Sequence, residues 1–294
     1  MKSLKLSLFL LAACAPAYAM TIDLNALWDF RNPDVSEQRF RAAMSTATGD
    51  DALILQTQIA RTYGLRKDFD RARQLLDSIA AQMAMAGPEA RARYQLELGR
   101  AWISAAHPPQ LQTTEARDKA RTAYERVVEI AMPAGLEQLA IDAYHMLAFV
   151  DTEPLQQIAW NNKGLAIALA SKQPNARAWE ASLRNNTGNE LHRLGRDEEA
   201  LVEFRKALAL RQQGNNAYMT HVAHWMVAMT LRSLGRLDEA LAIQLRLEQE
   251  RQAANEPDEY VFEELEAIYR AKGDEARAKH YAQLNAQLKQ PASK

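Results

Sequence analysis

The 294-residue chain is 48% hydrophobic and 25% charged, the composition of a soluble globular protein. Its 36 Lys and Arg balance 37 Asp and Glu, which excludes the basic excess that general nucleic-acid or membrane-surface binding needs. Cys14 is the only cysteine, so no disulfide can form within the chain, and a chain cleaved after Cys14 has no zinc-thiolate site or cysteine nucleophile.

Lys2 and Lys5 precede an apolar run from Leu6 to Ala13, followed by Pro16 and Ala17-Tyr18-Ala19. A basic start, a short apolar run and a small-residue cleavage site read as a secretory signal peptide over residues 1–19. The mature chain then begins at Met20, carries a net charge of about −3, and is periplasmic or secreted. The run is too short to span a bilayer as a stable helix, and no second long apolar run follows. Two other readings share this stretch. Leu11-Ala12-Ala13-Cys14 resembles a bacterial lipoprotein box, which makes Cys14 a lipid anchor in the envelope, although only about eight residues separate Lys5 from Cys14. Translation from Met20 instead leaves a cytoplasmic protein.

Residues 20–49 read as a capping segment. Ile22 to Phe30 is largely apolar and carries Trp28 and Phe30, Asn32-Pro33-Asp34 makes a turn, and a short helix follows from about Asp34 to Ala47. Phe40, Ala43 and Met44 lie on one side of it. A terminal unit cannot leave its apolar face bare, so this segment is placed over the first repeat.

Residues 50–288 read as a repeat array. Ile59, Tyr63, Ala72 and Leu76 mark the first unit, which Gly87-Pro88 closes. Leu98, Gly99, Trp102, Ala120, Tyr124 and Val127 mark the second. It holds the one long insertion, His107 to Gln112, read as a surface loop with a contact loop as the alternative; Thr113 or Thr114 can cap the helix that follows. Met146, Leu147, Ala159 and Ala166 mark the third, with Pro154 in a first helical turn. The fourth is the clearest: Gly188 lets two helices approach, Leu191 fills the seam, Gly195 ends the first helix, and Ala200, Phe204 and Ala207 line one face of the second. Leu231, Gly235, Ala240 and Leu247 repeat that skeleton, as do Leu265, Tyr269, Gly273, Ala278 and Ala282. The small residue of the second helix steps through 72, 120, 159, 200, 240 and 278, a spacing of roughly 40 with one long first step. Residues 289–294 are polar and expected to be a disordered tail.

The pattern of Gly188, Leu191, Gly195, Ala200, Phe204 and Ala207 resembles the tetratricopeptide repeat (TPR) family, over roughly residues 50–288. Departures are visible: Gln244 stands where an aromatic is usual, and unit three has Thr152-Glu153-Pro154 in place of the turn glycine. The units are longer than a standard repeat of about 34 residues, like the extended repeats of kinesin light chains and some bacterial regulators. The resemblance implies an all-α fold, an α-solenoid of about six antiparallel helix pairs forming a TPR-like superhelix. It specifies function only weakly.

Chemistry-bearing constellations are few. His221 and His224 share a helical face, but no third metal ligand lies at a convincing spacing, and they read as surface or seam histidines. Asp142 and His145 share a face likewise; without a nucleophile motif beside them they read as a structural hydrogen bond rather than a general base. The sequence has no Gly-rich phosphate loop or dinucleotide fingerprint, and neither cofactor nor metal is expected. Asn185-Asn186-Thr187 matches a glycosylation sequon but falls inside a packed helix.

In the TPR family the first helices of the pairs line a concave groove. By that resemblance the groove-facing places fall on Thr57 and Arg61, Leu96 and Arg100, Tyr144 and Asp151, Asn185, Asn189 and His192, Trp225, Met229 and Arg232, and Tyr260 and Glu263. Arg61, Arg100, Tyr144, Asn185, Asn189, His192, Trp225 and Met229 form the candidate partner-binding set. Asn and Arg pair with a peptide backbone or a carboxylate, and Tyr and Trp offer apolar contact. For Trp225 and Met229 inter-helix packing is the competing reading. The family's clamp for C-terminal carboxylates combines Asn with Lys and Arg; here Arg61 and Arg100 sit two or more units from Asn185 and Asn189, and the Lys is missing. The expected role is a non-enzymatic scaffold that binds another protein or a peptide in the groove, with no nucleic acid and no membrane insertion; the alternative is a ligand-responsive regulatory or sensor module.

Overall fold

The structure, a computed structural model, describes residues 22–289. The signal-peptide reading of residues 1–19, the lipid anchor at Cys14, the Met20 start and the tail from 290 to 294 lie outside the described residues.

Every regular element among the described residues is helical. Helices α1 (Leu24–Leu27) and α2 (Pro33–Met44) come first. Six antiparallel pairs follow: α3 (Gly49–Leu65) with α4 (Phe69–Ile79), α5 (Pro88–Trp102) with α6 (Thr114–Ala131), α7 (Glu137–Val150) with α8 (Pro154–Ala170), and, after the single turn α9 (Pro174–Arg177), α10 (Glu180–Arg193) with α11 (Asp197–Gln212), α12 (Ala217–Ser233) with α13 (Leu237–Ala253), and α14 (Glu259–Ala271) with α15 (Glu275–Leu288). Contacts run between elements that are close in the chain, which is the mark of a solenoid. No described helix is long and apolar enough to cross a membrane.

The turns show why the chain folds back where it does. Gly195 adopts φ +70°, and the next amide, Arg196 N–H, donates back to the Leu191 carbonyl at 2.9 Å. This left-handed stop satisfies a carbonyl the helix end leaves open. Gly235 and Gly273 repeat it. In the first pair Lys67 holds the same conformation, φ 64°, with Asp68 N–H returning to Tyr63; a non-glycine residue there carried no turn signal in the sequence. Asp68, Thr113, Asn216, Asp258 and Asp274 then cap the following helices through their side chains.

In the second and fourth pairs a glycine on the first helix faces a large ring on the second. A Cβ added to Gly188 would lie 2.7 Å from the Phe204 ring, and one added to Gly99 would lie 2.5 Å from Tyr124. Both rings are fully buried, and burial of each such side chain stabilises the fold by about 1.5–3 kcal/mol. Phe40 is likewise buried where α2 lies along α3, covering the side of the first pair that no earlier pair covers.

Unit three departs from the sequence-based alignment. Ala159 and Ala166 are exposed, and α8 instead buries Asn161, Gly164 and Ala168. The spacing that buries Ala200, Phe204 and Ala207 on α11 therefore places Gln157, Asn161 and Gly164 at the corresponding places, two residues earlier than expected. Gln157 is not small: its amide donates to the carbonyls of Ala148 and Asp151, both at 2.9 Å, and so closes the end of α7. The α9 turn takes up the extra residues before α10.

Candidate binding groove

The first helices α3, α5 and α7 lie side by side. Where they meet, with Ser104 to Ala106 and Trp179 closing the sides, is a cavity of about 330 Å³. A charge network forms its floor. Arg100 donates to Glu97 Oε1 and to Asp142 Oδ1, both at 2.6 Å, and Arg61 approaches the same Glu97 oxygen at 3.7 Å. Burial opposes ionisation of Asp142, but Arg100 and Arg61 outweigh it and hold its carboxyl below the usual range. Burial, with Arg100 beside it, pulls Arg61 down, while Arg100, sandwiched between two carboxylates, is pushed up despite its burial. Glu97 Oε2 is buried without a hydrogen-bond partner among the described residues.

The walls are apolar: Leu65, Ala101, Met146, Phe149 and Trp179. His145 packs edge-on against Phe149 and tilted against Trp179, and its Nδ1 lies 3.0 Å from Asn186 Nδ2. Burial holds its pKa below the usual histidine value, against the pull of Asp142. Ser104 to Ala106, just before the insertion of unit two, form one wall. His107 stacks on Phe69 with centroids 3.6 Å apart, its Nδ1 accepts the Ser104 N–H at 3.0 Å, and Gln112 donates to the His107 carbonyl. Ser104 Oγ also lies 3.0 Å from that Nδ1, but a nitrogen already receiving a backbone N–H closes a turn and is poorly placed to activate the hydroxyl.

A second hollow of about 200 Å³ shares His145 and Trp179 with the first and lies between α10, α11 and α12, lined by Asn185, Asn186, Arg211 and Met219. The two adjoin at these residues and together reach the first helices of five units. The amides of Asn185 and Asn189 have no hydrogen-bond partner among the described residues and remain available to a guest.

The expected site residues divide. Arg61 and Arg100 meet in the first cavity and Asn185 lines the second. Tyr144 does not join them: it stacks with Trp160 at 6.0 Å, beside Lys163 and away from the cavity. With α8 read two residues earlier, the groove places of α7 become Asp142, Met146 and Phe149, all of which line the cavity. Met229 is 8% exposed and belongs to the core. Trp225 donates to the Tyr260 carbonyl at 3.0 Å and packs edge-on against its ring, and His192 is held by Asp197. Glu97, Phe149 and Trp179 carried no expected groove role, and Asp142 and His145, expected to share a structural hydrogen bond, bond instead to Arg100 and Asn186; the α8 burial pattern is the signal that finds two of these five, Asp142 and Phe149. Away from the groove, His221 pairs with Asp258 at 3.0 Å. No group of three His, Cys, Asp or Glu side chains among the described residues is placed to hold a metal.

No protein-family model and no curated protein matches the sequence. Solved structures do match in fold. A signal-transduction ATPase with numerous domains (STAND) and a tetratricopeptide repeat sensor, from Pyrococcus horikoshii, is 13% identical with a TM-score of 0.67, over 87% of this chain and 39% of that one. The apo form of RapI is 11% identical with a TM-score of 0.67, over 90% of this chain and 75% of its own. A Rap protein complexed with Competence and Sporulation Factor is 14% identical with a TM-score of 0.53, over 90% and 75%. Likeness at such identity establishes the fold alone, an all-α TPR-like solenoid. This chain spans well under half of the STAND protein.

Proposed function

We propose that this chain is a binding module that holds a peptide or a short helix along its concave face, anchored in the cavity between α3, α5 and α7 and running toward Asn185 and Asn189. One observation carries the reading: a preformed cavity with apolar walls between the first helices, adjoining a second hollow in which the Asn185 amide is unspent. A site already shaped by stacked pairs binds without ordering itself, so less of the contact energy is lost. The Rap protein of similar fold, crystallised with Competence and Sporulation Factor, supports a ligand on this architecture. The leader-like residues 1–19 support a place in a bacterial envelope, and the N-terminal mass of the mature chain distinguishes Met20 from a lipidated Cys14.

Peptides selected by display on the purified protein test the reading. They should bind a Phe149→Ala/Asn185→Ala/Asn189→Ala variant at least about tenfold more weakly, a loss of about 1.4 kcal/mol. Equal binding to both proteins places the ligand elsewhere.

A sensor role is favoured by one feature. The cluster joining units three and four consists of Ile141, Ala168, Ala176 and Leu183, small beside those on either side, and both hollows share His145 and Trp179 across that joint. A ligand spanning it acts on the angle between two halves. Small-angle scattering with a selected peptide then shows a change in radius of gyration, which a rigid scaffold does not.

A further inference from the structure

The charged groups of the cavity differ in what a ligand can reach. Arg100 spends its donors on Glu97 and Asp142 and has a side chain 13% exposed; those of Glu97 and Asp142 are 2% and 11% exposed. Arg61, at 26%, is the most accessible of the four, and among the described residues it makes no hydrogen bond and one ion pair, at 3.7 Å, to an oxygen already held by Arg100. Neither does the aromatic pair beside it supply full compensation. Trp28 and Phe30 stack at 4.5 Å, fixed by the Trp28 indole donating to Gln58. The Arg61 guanidinium lies 5.5 and 5.3 Å from their two centroids, so it sits beside the stack and can face at most one ring. A guanidinium with five N–H donors unspent, largely withdrawn from water where it lines the cavity, is matched by a carboxylate. Leu65 and Phe149, 40% and 39% exposed, border the same cavity and offer apolar contact next to it.

We propose that Arg61 receives a carboxylate of the bound ligand, with an adjoining apolar side chain against Leu65, Met146 and Phe149. This rests on the groove reading above and names the anchoring group. The carboxylate can be a chain terminus or an acidic side chain.

Three probes separate these sources: N-acetyl-leucine, with a terminal carboxylate; N-acetyl-glutamyl-leucinamide, with a side-chain carboxylate; and N-acetyl-leucinamide, with neither. Binding is read from the Trp28 and Trp179 indole signals in NMR titrations of the whole protein. One or both carboxylate probes should bind at least about tenfold more tightly than leucinamide. Which of them does so identifies the source. Arg61→Gln should abolish the preference, and Arg61→Lys, which keeps the charge but not the fork, should keep part of it. Arg61 makes no hydrogen bond among the described residues, so both variants should fold; should Arg61→Gln not do so, a preference in wild type that fails to weaken between 0.05 and 0.5 M salt (roughly 14 to 4 Å screening length) sinks the proposal. Leucinamide binding equally well, with loss in Phe149→Ala, overturns the carboxylate and leaves the groove. A preference that survives in Arg61→Gln also overturns it. If no probe moves either indole, the anchor and this cavity as the binding site fall together.

Discussion

Gln244 is fully buried, and neither its oxygen nor its nitrogen finds a partner among the described residues. It occupies the place on α13 that Phe204 holds on α11, where packing, not hydrogen bonding, is called for. Leaving such a group unpaired costs about 1–3 kcal/mol. Gln244→Met, similar in shape and free of that cost, should raise the unfolding free energy by about 1 kcal/mol or more in urea titrations; a destabilised variant would mean that the amide is satisfied by water. His145 makes a second residue-scale expectation. Its folded pKa is depressed by burial, against Asp142 and with Arg100. The unfolded chain therefore takes up the proton first, near pH 6.5, and stability is complete above that pH and falls as the pH drops below it. Asp142, also depressed, acts lower: its contribution is present above about pH 4 and is lost as the pH falls through its folded value. The fall in melting temperature from pH 7 to pH 5 should be smaller in His145→Gln than in wild type. An equal fall would assign the acid sensitivity to His107 and His224, whose pKa values are also depressed by burial.

Helix α8 shows how far elements could be read from sequence. On α10 and α11 the repeat skeleton was fully legible, because Gly188, Gly195, Ala200 and Phe204 each do one physical job and the side chains announce it. On α8 the same places hold Gln157, Asn161 and Gly164, and the eye goes to alanines two residues away. That shift then carried the groove positions of α7 to Tyr144 and hid Phe149. The insertion of unit two was legible as a loop, but its anchorage depends on His107 stacking on Phe69, a contact no spacing rule encodes. The alignment can be tested directly. Ala159→Lys should change stability by no more than about 0.5 kcal/mol, whereas Ala168→Lys, placing a charge at a site 2% exposed, should cost several times that. The reverse order would restore the sequence-based alignment.

At the scale of the molecule, the pairs bury their seams against one another and leave the first helices to carry a face with two adjoining hollows. Its charges are balanced: two arginines and two carboxylates meet in the cavity. Such a face gains little from long-range attraction, so recognition depends on shape and on the few groups left unspent. The candidate residues that proved to be core, Met229 above all, lie where α12 and its neighbours close on one another, which a face assignment by periodicity cannot separate from a groove.

The most direct measurement is site-specific photocrosslinking in cells that make the protein, with a benzoyl-phenylalanine placed at Phe149 in the cavity or at Val202 on the exposed side of α11. Adducts at Phe149 that are suppressed when a display-selected peptide is supplied, and none at Val202, are expected. Adducts at Val202 with none at Phe149 would contradict a ligand held on the first helices.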